Sequence, residues 1–465
     1  MGQSSLQLEA VVLAAGKGTR MKSQRSKVLH ELAGKPMLHH VLDQAAALGA
    51  QQTHVVIGNQ AEQVRAATPH PVSWVMQTEQ LGTGHAVLQA MPGVSDDSVV
   101  LVLYGDVPLA SPALLGDAVA ATAGGAVALV TADFEDPAQL GRIVRENGAI
   151  QSIVEYKDAT DTQREIREIN SGILAVPATQ LKRYLAEIAE VGPQNKQGEY
   201  YLTDLIALAV RDRVAVHGIK APQPQQVMGV NDRIQLAELE RFYQQQRATE
   251  LMRNGVTLAD PARLDVRGAL TVAEDVFIDV NVVFEGEVSL GSGVYVGPNC
   301  VIRDTAIEAG ARIEASSVVE GARIGADATV GPFARIRTGT VLGERVKIGN
   351  FVETKKTTLG NDSKASHLTY LGDATLGEGC NVGAGTVTCN YDGIAKHQTT
   401  IGDGVFVGTN STLVAPLTLG DDAFVAAGST ITKSLDKAEL GVGRGRQKSI
   451  QGWVRPDRRP TDTDK

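Results

Sequence analysis

From about Leu264 onward the chain sets an aliphatic residue at roughly every sixth position. The rhythm runs through Leu290, Val296 and Ile302, then Ile307, Ile313 and Val319, then Ile324, Val330, Ile336, Leu342 and Ile348. It returns at Ile401, Val407, Leu413, Leu419, Val425 and Ile431. Few folds accept this period. A helix repeats its apolar face every 3.6 residues and a strand every two. A period of six, held this long, marks a parallel β-helix in which each coil stacks its aliphatic residues inward on the last. Gly often follows the aliphatic residue, as in IGADATVGPFAR and IGDGVFVGTNST, so Gly or Asn is expected at the tight corners. The rhythm breaks at CNYDGIAKHQTT (Cys389–Thr400), a polar insert that has to leave the coil as a loop.

Residues 1–231 have another texture. LEAVVLAA, THVVIG, VSWVMQ, SVVLVLYGD and AVALVTA are short apolar runs that read as buried strands. PMLHHVLDQAAALG, GHAVLQAM and SPALLGDAVAATA read as intervening helices. This alternation predicts a mostly parallel sheet covered on both faces, with ligands bound beyond the carboxyl ends of the strands. Between the two regions, residues 232–254 carry Leu236, Leu239 and Tyr243 at helical spacing and stop at Gly255, which predicts one linker helix. The β-helix region is then 255–465, and the closing GWVRPDRRPTDTDK is expected to be disordered.

The chain's net charge is −9, and aromatic residues make up 4% of it. Both argue against a general nucleic-acid binder, so any anionic ligand needs a local basic pocket. The three cysteines, Cys300, Cys380 and Cys389, form no CxxC pair, which fits a reducing compartment without a disulfide framework or zinc site. MGQSSLQLEA lacks the basic and apolar regions of a signal peptide, and runs such as SVVLVLY are too short to span a bilayer. The expectation is a soluble cytoplasmic protein with no membrane insertion.

The first strand runs into LAAGKGTRMKSQRSKVLH. This is not a Walker A loop, because Lys17 is followed by Gly18, and it is not a dinucleotide fingerprint, because Met21 stands at the third glycine position. Gly16 and Gly18 nonetheless let backbone N–H groups approach phosphate oxygens, and Arg20 and Lys27 can neutralise a polyphosphate. On GxGxR alone, a glycine-rich turn with solvated basic residues is an equal alternative. Asp106, in YGDVPL at the end of another apolar strand, is a natural Mg²⁺ ligand beside phosphate. QTEQLGTGHA offers backbone groups at Gly82–Gly84 that could read a flat base.

LAAGKGTRM…KVLH, QLGTGHA, YGDVPL and EINSGI, in that order, resemble the sugar-1-phosphate nucleotidyltransferases. With the β-helix behind them, nearly the whole chain resembles the bacterial bifunctional N-acetylglucosamine-1-phosphate uridylyltransferases/glucosamine-1-phosphate acetyltransferases. The resemblance implies a Rossmann-like α/β nucleotidyltransferase domain, a left-handed parallel β-helix, and synthesis of UDP-N-acetylglucosamine, a peptidoglycan and lipopolysaccharide precursor. It also implies UTP and acetyl-CoA as co-substrates and Mg²⁺ as cofactor; the long flat faces of a β-helix need cover and the insert is placed to reach a neighbour, so a homotrimer is expected. By resemblance, Leu13, Ala14, Ala15, Gly16, Lys27, Gln77, Gly82, Thr83, Tyr104, Gly105 and Asp106 line the nucleotide-sugar site. Gly141, Glu155 and Asn170 hold the sugar, and Asn231 joins Asp106 on Mg²⁺. Similar enzymes usually have Pro before the lysine of KVLH, where this chain has Ser26.

In the β-helix, His367 in KASHLTYLGD stands near Arg337, Glu353, Lys355 and Lys356 on neighbouring coils. Three cations and a histidine suit a sugar phosphate that carries an amine; a solvated charge band is the alternative. The resemblance implies that His367 is the general base that deprotonates the glucosamine amine, with Glu353 orienting it or supporting the ammonium. It further implies that Arg337, Lys355, Tyr370 and Asn381 bind the sugar phosphate. Ala384, Asn390, Tyr391, Thr409, Ala427 and Arg444 then line the acetyl-CoA groove, with Thr409 where Ser is expected. A competing expectation keeps only nucleotidyl transfer and makes the β-helix a scaffold. A regulatory subunit would have lost its metal ligands, yet Asp106 and Asn231 both stand. A γ-class carbonic anhydrase needs three histidines, and the repeat offers only His367 and His397.

Overall fold

The computed structural model describes residues 7–458, which form two compact units divided after Arg247. In the first, seven strands form a sheet in the order Val216–Lys220, Val127–Asp133, Glu168–Pro177, Ser98–Tyr104, Gln7–Leu13, Gln52–Ile57 and Ser73–Met76. Every neighbouring pair is parallel except those of Glu168–Pro177, which is antiparallel to both of its neighbours. That strand, and the hairpin Arg142–Glu146/Ala149–Val154 paired beside it, were not expected from the alternation of apolar runs. Both faces of the sheet are buried for the expected reason. Ala10 and Val12 pack with Leu38, Leu42 and Leu115 on one side, while Val11 packs with Val87, Leu181 and Leu185 on the other. Period-two alternation of wholly apolar strands is what a doubly covered sheet requires. The helix Pro112–Ala120 starts where Ser111 caps it, its hydroxyl accepting from Leu114 N–H at 3.3 Å with Pro112 in the first turn.

The strand ends that matter are tied to each other. Ala14 N–H donates to Val56 O (2.8 Å), Gly105 N–H to Leu13 O (2.9 Å) and Gln77 N–H to Ile57 O (2.8 Å). The segments after Leu13, Ile57, Met76 and Tyr104 therefore leave one rim together.

The helix Arg233–Arg253 begins in the first unit, where Leu239 is buried with Met21, Leu32, Met37 and Val230. It ends in the second, where Ala248 and Leu251 join the β-helix core. The division between the units thus falls inside the helix.

The second unit is a parallel β-helix. All seventeen rhythm residues named above are at most 5% exposed. Each removes one aliphatic side chain from water, about 1.5–3 kcal/mol of favourable transfer before entropy is subtracted. Ile302 pairs with Val319, Val319 with Ile336, Ile336 with Thr354 and Thr354 with Leu371, so one coil is 17 or 18 residues, or three hexapeptides on three faces. Leu359 pairs with Leu376 (376 − 359 = 17), but Leu376 pairs with Ile401 (401 − 376 = 25). The insert therefore adds eight residues (25 − 17) that leave the coil, as the broken rhythm predicts.

The corners differ from expectation in one respect. Asn281, Asn299, Ser316, Gly385, Asn410 and Gly428 take the left-handed conformation along one edge, but so do Phe333, Phe351 and Leu368. Such bulky residues pay about 1–2 kcal/mol each for that conformation. All three are exposed, and the two phenyl rings stack with centroids 5.6 Å apart.

The chain turns once more as a 3-10 helix at Pro456–Arg458; the expectation of disorder for residues 459–465 falls outside the described residues. Among the described residues, no helix is long and apolar enough to cross a membrane.

Candidate functional sites

One cleft opens at the rim of the N-terminal sheet. Leu13, Ala14, Ala15, Gly16, Lys27, Gln77, Gly82, Thr83, Tyr104 and Asp106 line it. A second cavity shares Tyr104 and Asp106 with the first and is lined by Arg20, Asn170 and Asn231. Gly105 is not in either lining: its N–H ties the Tyr104 end to Leu13 O, and it packs beneath the rim.

Gly141 and Glu155 sit beside one another, a Cβ on Gly141 falling 3.2 Å from both carboxylate oxygens. Asn170 N–H donates to Gly141 O at 2.9 Å, and Thr203 Oγ1 donates to Glu155 Oε1 at 3.3 Å. Burial raises the Glu155 carboxyl above the usual carboxylate range, against the Thr203 hydrogen bond. Burial, with Glu155 and Asp106 nearby, also pushes the Tyr104 hydroxyl up, so it remains a neutral hydrogen-bonding group.

Lys27 is the centre of charge. Its ammonium pairs with the Asp106 carboxylate and donates to Asn231 Oδ1 at 2.9 Å. Asp106 and Asn231 lie far apart in sequence yet face a single cation, and Val230 N–H to Asp106 O (2.9 Å) fixes their segments together. A carboxylate and an amide oxygen converging on one positive charge are oxygen donors of the kind a Mg²⁺ ion takes beside phosphate and water. The donor set fits that ion. Sequence reading missed Gln80 and Glu199, which also line the cleft. Gln80 Nε2 donates to Ala15 O at 2.9 Å and so braces the glycine turn, but no spacing in the sequence marks it.

The second site follows the β-helix edge. His367 ends the strand Lys364–His367, opposite Asn350 on the preceding coil. Its Nδ1 lies 2.7 Å from Asn350 Oδ1. An amide oxygen can only accept, so Nδ1 carries a proton, and in the neutral ring the lone pair is on Nε2. The residue that orients His367 is therefore Asn350 and not Glu353, which is paired with Arg337 at 2.7 Å. Down the same edge, Gly385 N–H donates to Leu368 O (3.0 Å), Asn410 N–H to Ala384 O (2.7 Å) and Gly428 N–H to Thr409 O (2.7 Å). Arg444 Nη1 donates to Ala427 O at 2.8 Å. Ala384, Thr409, Ala427 and Arg444 thus form one line running on from His367.

Lys355 and Tyr370 lie on the next face. The Tyr370 ring covers Gly372, where a Cβ would come within 2.3 Å of the hydroxyl. The Lys355 ammonium is depressed by Lys396 beside it, and secondarily by desolvation and Arg337. Lys396 belongs to the insert, so sequence reading saw the loop without its cation. Lys355 and Lys396 side by side, with Arg337 nearby, suit a phosphate. Asn390 bonds to Asp373 at the root of the insert, Tyr391 is exposed on it, and Ile394 at its tip is 94% exposed. Asn381 is placed apart from Lys355 and Tyr370, on the face that carries the strand Lys364–His367. The described residues contain no cluster of three His, Cys, Asp or Glu side chains able to hold a metal ion.

Residues 10–258 match the MobA-like NTP transferase domain, 266–364 the GMPPB C-terminal domain, and 398–433 the hexapeptide repeat of succinyl-transferase. A bifunctional protein GlmU of Marinobacter nauticus is 57% identical over 97% of this chain and 99% of its own length. Those of Cellvibrio japonicus and Alkalilimnicola ehrlichii are 53% and 52% identical over 97% of this chain, covering 100% and 97% of their own lengths. Likeness of this extent runs through both units and does not favour the β-helix as a scaffold alone. The chain belongs to the GlmU family of bifunctional uridylyltransferases and acetyltransferases.

Proposed function

We propose that uridylyl transfer takes place in the N-terminal cleft and acetyl transfer along the His367 edge, the acetylated sugar phosphate being the substrate of the first site. The observation that carries the first assignment is the convergence of the glycine turn, Gly82–Thr83 and the Lys27–Asp106–Asn231 cluster on one rim. A phosphate oxygen of N-acetylglucosamine-1-phosphate attacks the α-phosphorus of UTP, and pyrophosphate leaves. The nucleophile is already ionised at neutral pH, so no general base is required. The chain has to align two anions and neutralise their charge. Backbone groups of Leu13–Gly16 cradle phosphate, and Lys27 and Arg20 supply positive charge. Gln77, Gly82 and Thr83 read the base, and Gly141, Glu155 and Asn170 hold the sugar. Asp106 and Asn231 hold Mg²⁺, which supplies neutralisation of the phosphate charge.

For acetyl transfer, Nε2 of His367 takes a proton from the glucosamine-1-phosphate amine as nitrogen attacks the thioester carbonyl of acetyl-CoA and the CoA thiolate leaves. Arg337, Lys355 and Lys396 hold the phosphate, with Tyr370 and Asn381 on the sugar. Ala384, Asn390, Tyr391, Thr409, Ala427 and Arg444 line the CoA groove. The exposed Phe333–Phe351–Leu368 ridge beside His367 and the projecting insert supply two apolar features on different edges, which supports assembly of the coils as a homotrimer. The free cysteines and these substrates support a cytoplasmic setting.

The test is a reaction containing glucosamine-1-phosphate, acetyl-CoA, UTP and Mg²⁺, repeated with each component omitted. UDP-N-acetylglucosamine is expected only from the complete mixture, while free CoA still forms without UTP. Equal uridylyl transfer without divalent metal would remove the role given to Asp106 and Asn231.

A further inference from the structure

The loop that carries Lys27 has only the single 3-10 turn Thr19–Met21 before Ser26, yet its lysine must be held in register with Asp106 and Asn231. Ser26 is 2% exposed. Its backbone N–H donates to Oε1 of Gln63, on the helix Ala61–Ala67, at 2.5 Å. The other end of the same amide, Nε2, lies 3.5 Å from Gln24 O, so one side chain spans the backbone on both sides of Arg25. Gln60 reinforces it, its Nε2 donating to Gln24 O at 2.7 Å. Gln60 does this from a left-handed backbone conformation, φ 58°, which a residue with a long side chain adopts at some cost. Gly58, just before it, sits against Ala15 and Gln77 at the cleft rim. The segment Gly58–Gln63 thus runs from the cleft rim to the basic loop and binds its backbone directly.

We propose that Gln63 is a positioning residue for uridylyl transfer: by accepting the buried Ser26 N–H, it fixes the loop that delivers the Lys27 ammonium to Asp106 and Asn231. The inference rests on the role given to Lys27 above. Removing Gln63 leaves a buried donor unpaired, and the loop is expected to relax toward water to satisfy it. Lys27 follows, and displacement by about 1 Å is enough to cost two orders of magnitude in a reaction that depends on alignment.

The geometry also supplies a rescue. Ser26 has φ −54° and ψ 139°, values that proline accepts, and its only hydrogen bond lost to proline is the one to Gln63. Proline there would fix the backbone covalently and abolish the donor that Gln63 serves.

The experiment measures both activities of the full chain for Gln63→Ala, Gln63→Glu, Ser26→Pro, the Ser26→Pro/Gln63→Ala double variant and Lys27→Ala. Gln63→Ala is expected to lower kcat/KM for uridylyl transfer by roughly ten- to a hundredfold, with acetyl transfer within about twofold of the parent. Gln63→Glu, which still accepts from Ser26, should keep most of the activity, as should Ser26→Pro. The double variant should recover at least about tenfold over Gln63→Ala. Undiminished uridylyl transfer in Gln63→Ala, no rescue in the double variant, or equal loss of both activities would overturn the proposal. Lys27→Ala separates the two readings. If it is active, the role of Lys27 fails; if it is inactive while Gln63→Ala is not, only the tether fails.

Discussion

Alanine at Gly82 tests the N-terminal cleft without touching a charge. Gly82 holds φ 116° and ψ 176°, a region essentially reserved to glycine. A methyl group there would lie 2.6 Å from Tyr200 O and 2.8 Å from Tyr200 N. Neither atom can yield freely, because Gly84 N–H donates to Tyr200 O and Tyr200 N–H to Leu81 O, each at 2.8 Å. Ordinary contact begins at 3.4 Å, so the two segments must part by about 0.8 Å (3.4 − 2.6). The backbone conformation costs about 1–3 kcal/mol and the strained hydrogen bonds about 1 kcal/mol more. The segment that moves is the one assigned to the base, with Thr83 next to it. A shift of that size is expected to lower kcat/KM for uridylyl transfer by about a hundredfold. Pyrophosphate release and free CoA thiol, followed on one preparation, give both activities, and the second should be unchanged. Uridylyl transfer above half of the parent value would refute the placement of Gly82 in the site. Parallel loss of both activities would show that the substitution unfolds the chain.

Three further outcomes are expected. Asp106→Ala should lower uridylyl transfer by about 10²–10³-fold with acetyl transfer intact, measured as pyrophosphate released over a Mg²⁺ titration; near-normal release would remove the metal assignment. His367→Ala should lower acetyl transfer by about 10²–10⁴-fold with uridylyl transfer from supplied N-acetylglucosamine-1-phosphate unchanged, and the residual rate should climb with pH as free amine accumulates; a flat pH profile would count against a lost base. Glu155→Gln should raise the thermal midpoint of the chain at neutral pH. Burial raises this carboxyl in the folded state, so its ionised form opposes folding, and the gain should vanish as pH falls through the usual carboxylate range; a gain that persists at low pH would show another cause.

The β-helix was legible because one period governs every coil, and a stacked fold turns a repeat in sequence directly into a repeat in space. The edge residues were less so. Asn281 and Gly385 could be read as corner formers, but nothing in FVETKK or FARIRT announces that Phe351 and Phe333 take the same left-handed corner. Their strain becomes intelligible only when both rings are seen stacked and exposed beside the His367 coil. In the first unit, apolar runs gave the parallel strands, yet EINSGILAVP hid its direction. An antiparallel strand between two parallel neighbours is as apolar as they are, and direction is set by connections that no short pattern encodes. Side-chain partners were the least legible. Glu353 is nearer to His367 in sequence than Asn350 is, and only the coil register, which sets Asn350 opposite His367 and Glu353 opposite Tyr370, decides between them.

That register also explains why the two sites differ in completeness. The nucleotide cleft draws all its lining residues from the first unit of a single chain. Along the β-helix, consecutive residues turn a corner and face different directions. His367 ends one face, Tyr370 begins the next, Lys355 and Lys396 stand where that face ends, and Asn381 lies back on the first. A convex three-sided coil cannot wrap a sugar phosphate with residues spread over its faces and edges. A second coil laid against the His367 edge would supply the opposing wall and cover Phe333, Phe351 and Leu368, whose exposure and backbone strain a lone chain bears without return. The acetyl-transfer site is therefore expected to depend on assembly, while the uridylyl site is not. Dilution, or a charge placed at Phe351 as in Phe351→Asp, should abolish CoA release in step with dissociation of the proposed trimer in sedimentation, and leave pyrophosphate release standing. A monomeric Phe351→Asp chain with full acetyl transfer would show that one coil suffices.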